Sequence, residues 1–267
     1  MSDMDFKKRP ESKAKGRYKS RIPEGTSIFP ISLQIKRGDG KFEYGSLGTG
    51  FFVSKFGLFL TAKHVVEDQL HYQNGNGLEA WVVIKNKNYA CPIKNIQLHT
   101  FADIAFGFIV PPDRNSKAGA EFGISLCQIG SVGKPGSQVL TYGYGRTQLS
   151  YNLKDIDEVV IDMVPDYYDG KIIAHLPCHP RLKDWNWPLY EHSISIASGM
   201  SGGPVMLKDT NRVIAVNTSG WSTEEEDIEG GFATDVNLAL DMVINADIPL
   251  FKGRTLRDLL KAEKQID

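Results

Sequence analysis

Ser201 stands in the run Ser198-Gly199-Met200-Ser201-Gly202-Gly203-Pro204-Val205, between two strand-like runs, Tyr190 to Ile196 and Pro204 to Leu207. Glycine has no Cβ, so the backbone there can take positive φ and approach a ligand closely. Such a loop can turn the amides of Gly199 and Ser201 into one small concavity while holding the Ser201 hydroxyl outward. A nucleophile beside donors aimed where negative charge develops is what acyl transfer requires. A bare Ser-Gly-Gly is also read as a tight turn between strands, so the chemistry rests on partners elsewhere in the chain.

Two candidates for those partners occur in order. His64 lies in Thr61-Ala62-Lys63-His64-Val65-Val66, directly after an apolar strand that follows Gly48-Thr49-Gly50-Phe51-Phe52-Val53. Asp103 heads the apolar run Ile104 to Val110, where desolvation of a carboxylate is costly unless a partner holds it. An imidazole N–H from His64 would be that partner; the other reading of Asp103 is a strand-start or turn residue. His71, His99, His175, His179 and His192 are read as ordinary structural histidines.

The elements that must position these groups are short strands. Phe29, Ile31, Leu33 and Ile35 alternate, Gly38-Asp39-Gly40 offers a turn, and Leu47 to Val53 with Leu58 to Thr61 form a second hairpin. Trp81 to Ile84, Tyr89 to Ile93 and Ile104 to Val110 complete a first series, with a loop at Asn74-Gly75-Asn76-Gly77. Residues 111–136, rich in Pro and Gly, read as a crossing segment between halves. A second series follows at Gln138 to Tyr144, Glu158 to Val164, Lys171 to Leu176, Tyr190 to Ile196, Pro204 to Leu207, Arg212 to Asn217 and Gly231 to Thr234. Helical spacing comes only at Val236 to Ile244 and Leu256 to Lys264. Many short strands with regular turn signals predict barrels or a sandwich.

Composition narrows the partners. The 267 residues carry 31 Lys+Arg against 32 Asp+Glu, a net charge of −1 that gives no case for nucleic acid or a membrane surface. No run of 18 apolar residues is present. The N-terminus starts at Met1 without an apolar segment, so no secretory signal is expected. Cys91, Cys127 and Cys178 form no CxxC pair, which predicts neither a zinc site nor a disulfide framework. Each thiol is expected in or near a core, and the compartment is expected to be reducing, the cytoplasm being the simplest. Residues 1–24 read as a mobile basic tail, either solvated or touching an acidic partner or nucleic acid.

Taken together, Thr61-Ala62-Lys63-His64, Asp103-Ile104-Ala105 and Gly199-Met200-Ser201-Gly202-Gly203-Pro204 resemble the histidine, aspartate and serine motifs of the chymotrypsin-like (trypsin-like) serine peptidases. The order His, Asp, Ser agrees with that fold and differs from subtilisins and α/β-hydrolases. The style is closer to HtrA-type, non-zymogen peptidases, with no PDZ-sized extension. The resemblance implies an all-β fold of two six-stranded antiparallel β-barrels with C-terminal helices. Its expected division is 25–120 for the first barrel, 121–235 for the second and 236–267 for a helical segment. It further implies a serine endopeptidase with catalytic His64, Asp103 and Ser201, and an oxyanion hole at the Gly199 and Ser201 amides. Polypeptide is the substrate, and no cofactor or metal is needed.

Thr218-Ser219-Gly220 would pair with an extended substrate. Ser195, Gly220 and Gly230 would line an open, uncharged primary pocket for an apolar or small P1 side chain. Met200 stands where secreted zymogens carry an aspartate, and no Ile-Val-Gly-Gly start is present, so activation by N-terminal cleavage is not expected. An acidic stretch at Glu224-Glu225-Glu226-Asp227 with Glu229 is either a solvated loop or a field that attracts basic substrates. The alternative function is an inactive relative that binds peptides or serves as a scaffold. An activating or recruiting protein partner fits either reading.

Overall fold

A computed structural model describes residues 27–36, 42–68, 77–84, 87–109, 126–130, 132–145, 148–151, 159–162, 165–180, 182–222, 229–245 and 251–266. The basic tail, the Gly38-Asp39-Gly40 turn, residues 74–76 of the second loop, 111–125 of the crossing segment with the 120/121 division, and Glu224 to Asp227 lie outside the described residues.

Two closed six-stranded antiparallel barrels make up the fold. The first contains β1 (Ile28–Lys36), β2 (Phe42–Phe52), β3 (Leu58–Thr61), β4 (Gly77–Ile84), β5 (Lys87–Leu98) and β6 (Ala105–Ile109), joined in the order β1-β2-β3-β6-β5-β4. Between β3 and β4 comes the one-turn helix α1 (Lys63–Val66). Aromatic and branched side chains favour this pleated, buried setting. Phe29 packs on Phe52 and Phe59 at ring-centroid distances of 4.7 and 5.4 Å, and all three are fully buried.

The second barrel contains β7 (Gln138–Gly143), then β10 (Asp166–Leu176), β11 (Leu189–His192), β12 (Pro204–Leu207), β13 (Val213–Ser222) and β14 (Glu229–Asp235). The predicted strand at Glu158 to Val164 lies outside this barrel. Its described part is β9 (Val159–Asp162), which among the described residues pairs only with β8 (Gln148–Tyr151), a strand the sequence pattern did not reveal. β11 is shorter than its apolar run because the chain bends after His192.

The C-terminal residues return to the first barrel. Of the predicted helix at Val236 to Ile244, only α2 (Asn237–Leu240) forms. The last helix, α3 (Leu256–Ala262), begins with a capping box between Thr255 and Asp258 and buries Leu256, Leu259 and Leu260. Beyond it, the Glu263 carboxylate accepts from Ser54 Oγ (3.1 Å) and the Lys55 amide (3.4 Å), while the Ile129 amide donates to the Gln265 carbonyl at 2.9 Å. The Gln97 side chain adds a two-way link, donating to Val243 O and accepting from Asn245 N, each at 2.7 Å. No helix among the described residues is long and apolar enough to cross a membrane.

Candidate active site

His64 owes its position to burial on either side. β3 is wholly buried, and Val65 and Val66 anchor the inner face of α1. The His64 side chain is thus left about half exposed at the barrel rim (49%). Asp103 sits in the bend between β5 and β6, with buried Ala102 and Ile104 on its two sides. His99 organises that bend: its Nδ1 accepts the Ala102 amide at 3.0 Å and the Phe101 amide at 3.4 Å. Burial, then the charge of Lys63, lowers the His99 pKa and favours the neutral ring that accepting requires.

Asp103 receives two bonds from His64, the backbone N–H to Oδ1 at 2.9 Å and ring Nδ1 to Oδ2 at 2.8 Å. An ionised carboxylate only accepts, so Nδ1 carries the proton and the lone pair of neutral His64 is on Nε2. Burial pulls the His64 pKa down. The hydrogen bond and charge of Asp103, joined by Asp68 and Glu67, outweigh it, and the net shift is upward from 6.5.

Two consecutive turns build the serine loop. The Met200 amide donates to Ala197 O (3.1 Å), and the Gly203 amide to Met200 O (3.0 Å). Each turn has at its third residue a glycine with positive φ, Gly199 at 87° and Gly202 at 86°, as a type II turn requires. At Gly202 the demand is double, because a Cβ would collide with Thr49 O and Thr61 Oγ1. The Gly202 amide is bonded to Asn217 O at 2.8 Å. The amides of Gly199 and Ser201 donate to nothing among the described residues.

The loop and α1 meet at the seam of the barrels. A Cβ on Gly48 would touch both the Val65 side chain and the Ser201 carbonyl, and one on Gly202 would lie 3.0 Å from the Ala62 nitrogen. The Ser201 hydroxyl donates to Thr218 O at 3.3 Å, and among the described residues no hydrogen bond links it to His64.

Thr218, Ser219 and Gly220 lie on β13. β12 and the serine loop cover that strand at Val213–Asn217, and beyond it the edge has no backbone partner among the described residues, with Thr218 O accepting only the Ser201 hydroxyl. Across the other edge Gly220 pairs with Gly231 and Trp221 with Gly230, and Gly230 lies under the Trp221 indole. The room left by Gly220 and Gly231 is not open. A Cβ on Gly220 would meet Ile196 O at 2.7 Å, and one on Gly231 would meet Ile196 Cγ1 and His192 Cε1, each at 2.5 Å. Ser195, next to Ile196, is partly exposed. His192 is fully buried, its pKa is pulled down by burial to about 4, and its Nε2 has no hydrogen-bond partner among the described residues. The sequence pattern did not single out Ile196 or Thr49, and gave His192 only a structural role.

Cys91 and Cys127 are buried free thiols, as expected, with pKa values pushed up by burial to about 12 and about 11. Cys178 departs from the expectation: it is free and exposed, in the bend that follows β10.

Two closed six-stranded barrels with a His–Asp pair on one and a glycine-bracketed serine on the other are the architecture of the chymotrypsin-like serine peptidases. The family profile of the trypsin-like peptidase domain matches residues 48–216, and the chain belongs to that family. The matched span holds His64, Asp103 and Ser201 and ends before Thr218. Among solved structures, the crystal structure of Deg5 is similar, with a TM-score of 0.52 and 18% identity over 79% of this chain and 84% of Deg5. At that identity the likeness is one of fold. No curated protein matches the sequence.

Proposed function

We propose that the protein is a serine endopeptidase in which Ser201 is the nucleophile, His64 the general base and Asp103 the group that orients it. The observation carrying this reading is the two-point bond of His64 to Asp103 beside a serine loop whose Gly199 and Ser201 amides are both unpaired among the described residues. Rotation of the Ser201 side chain away from Thr218 O turns its hydroxyl to His64 Nε2. Oγ then attacks the scissile carbonyl carbon while its proton passes to Nε2, and the Gly199 and Ser201 amides receive the oxyanion. Collapse expels the amine with the proton from His64. Water, activated by the same imidazole, then releases the acid and restores Ser201.

The free edge of β13 at Thr218 to Gly220 suits an extended peptide added as a strand. Ile196 against Gly220 and Gly231 suits a small P1 side chain. The free thiols fit a reducing compartment such as the cytoplasm. The bond from Ser201 to Thr218 favours a second reading, a peptide-binding module without turnover. A fluorophosphonate probe separates the two: it labels the wild type and not Ser201→Ala if the protein is an enzyme. Absence of labelling in the wild type overturns the endopeptidase.

A further inference from the structure

Thr49 belongs to β2 of the first barrel, yet both its amide and its hydroxyl donate to the serine loop of the second. Its amide donates to Ser201 O at 2.8 Å, and its hydroxyl donates to Gly199 O at 2.8 Å. The hydroxyl also accepts from the Tyr144 amide at 3.1 Å, so its donor is directed one way. Thr61 Oγ1 donates to Thr49 O at 2.7 Å, and Thr49 is fully buried.

The alternation along the loop gives these bonds their meaning. The two amides without partners, of Gly199 and Ser201, lie in the peptide planes 198–199 and 200–201. The planes 199–200 and 201–202 are gripped at both ends. Their carbonyls are held by Thr49, and their amides, of Met200 and Gly202, by Ala197 O and Asn217 O. The 200–201 plane between them is held by its own carbonyl, because Met200 O accepts from the Gly203 amide at 3.0 Å, and a rigid plane so held fixes where the Ser201 amide points. Fixing 199–200 likewise limits how far 198–199 can turn about Gly199. The hydroxyl supplies the grip on 199–200, the plane next to the Gly199 donor.

We propose that Thr49 is a positioning residue whose hydroxyl, reaching across the barrel seam to Gly199 O, keeps the Gly199 amide aimed at the oxyanion beside the Ser201 amide. The inference rests on the endopeptidase reading. It assigns Thr49 no contact with substrate. Preorganised donors need no rearrangement as charge develops, so losing the grip weakens binding of the transition state more than binding of substrate.

The test compares Thr49→Val, which keeps the shape and backbone amide, with Thr49→Ser, which keeps the hydroxyl. Thr49→Val is expected to lose about 100-fold in kcat on a peptide substrate, the scale of one lost oxyanion donor, with KM within about threefold of wild type. Affinity for a peptide boronate, which forms a tetrahedral adduct on serine, falls in parallel, and the pH midpoint stays because the His64–Asp103 bonds are untouched. Thr49→Ser recovers kcat to within about threefold. Where Thr49→Val does not fold, Thr49→Ala is read in the same way. A Thr49→Val protein with wild-type kcat and boronate affinity overturns the proposal, as does a Thr49→Ser protein no better than Thr49→Val. Fluorophosphonate labelling of the wild type separates this failure from failure of the enzyme reading, which no labelling at all would signal.

Discussion

The two barrels hold their functional groups by different means. In the first, a cluster of Phe29, Phe51, Phe52, Phe59 and Phe106, all fully buried, underlies the rim where His64 and Asp103 sit. In the second, buried polar side chains run beneath the site. Asn217 donates to Thr141 Oγ1, which donates to Pro204 O, and Thr218 and Thr234 share a hydroxyl bond of 2.8 Å. Trp187 Nε1 joins Thr234 at 3.1 Å, and His192 is buried on β11. Apolar packing has no direction, so it fixes where an element lies. Hydrogen bonds are directional and fix where an amide or hydroxyl points. An imidazole–carboxylate pair that carries its own two-point bond needs the former, and an amide-lined loop needs the latter.

The largest test of this division falls on the first barrel. Asp103→Asn is expected to lower kcat by about 10⁴-fold, since an amide no longer fixes the His64 tautomer. The base works only when neutral, so the wild-type rate rises with pH through a midpoint above the ordinary histidine value. Losing the Asp103 charge leaves burial to act, and the midpoint moves down. A pH–rate profile of acylation checks both. An Asp103→Asn midpoint equal to or above the wild type would show that Asp103 does not set the His64 pKa.

Next in size is an acid sensitivity set in the second barrel. His192 binds its proton at about 4 in the fold and near 6.5 when unfolded, so the unfolded state takes up more protons between those values. Its contribution is complete above 6.5 and is lost as pH falls toward 4. Stability therefore drops by roughly 2 kcal/mol between pH 6.5 and pH 5 from this group alone. Urea unfolding of the wild type and His192→Phe at those two pH values measures it; equal slopes in both would remove His192 as the cause. The smallest effect concerns Ile196. Ile196→Ala vacates room at Gly231, where the Ile196 side chain packs, and cleavage after Leu relative to Ala is expected to rise about tenfold. An unchanged P1 profile in a peptide library would show that Ile196 does not bound the pocket.

Much of this was legible in the residues. Period-2 runs marked the barrel strands, and glycines on both sides of Ser201 marked a loop needing positive φ, which Gly199 and Gly202 adopt. A carboxylate heading an apolar run marked Asp103, and its partner is His64. Less legible were features created by distant approach. A glycine shows where backbone comes close, but not what comes close. Gly220 and Gly230 read as walls of an open slot, and the sequence does not say that the Ile196 carbonyl comes against the one and the Trp221 indole against the other. The bond from Thr49 to Gly199 spans 150 residues, and no local pattern points to it. The Glu158 to Val164 run has a strand's composition, yet composition does not say whether a strand closes a barrel or pairs off it.

The clasp between Glu263 and the Ser54–Lys55 turn joins residues 209 and 208 positions apart. A ribosome completes every strand of the amino-terminal barrel long before it supplies that clasp. Contacts so distant slow folding, because the loop entropy is lost before they form. The clasp of the first barrel therefore closes only after translation has passed both barrels.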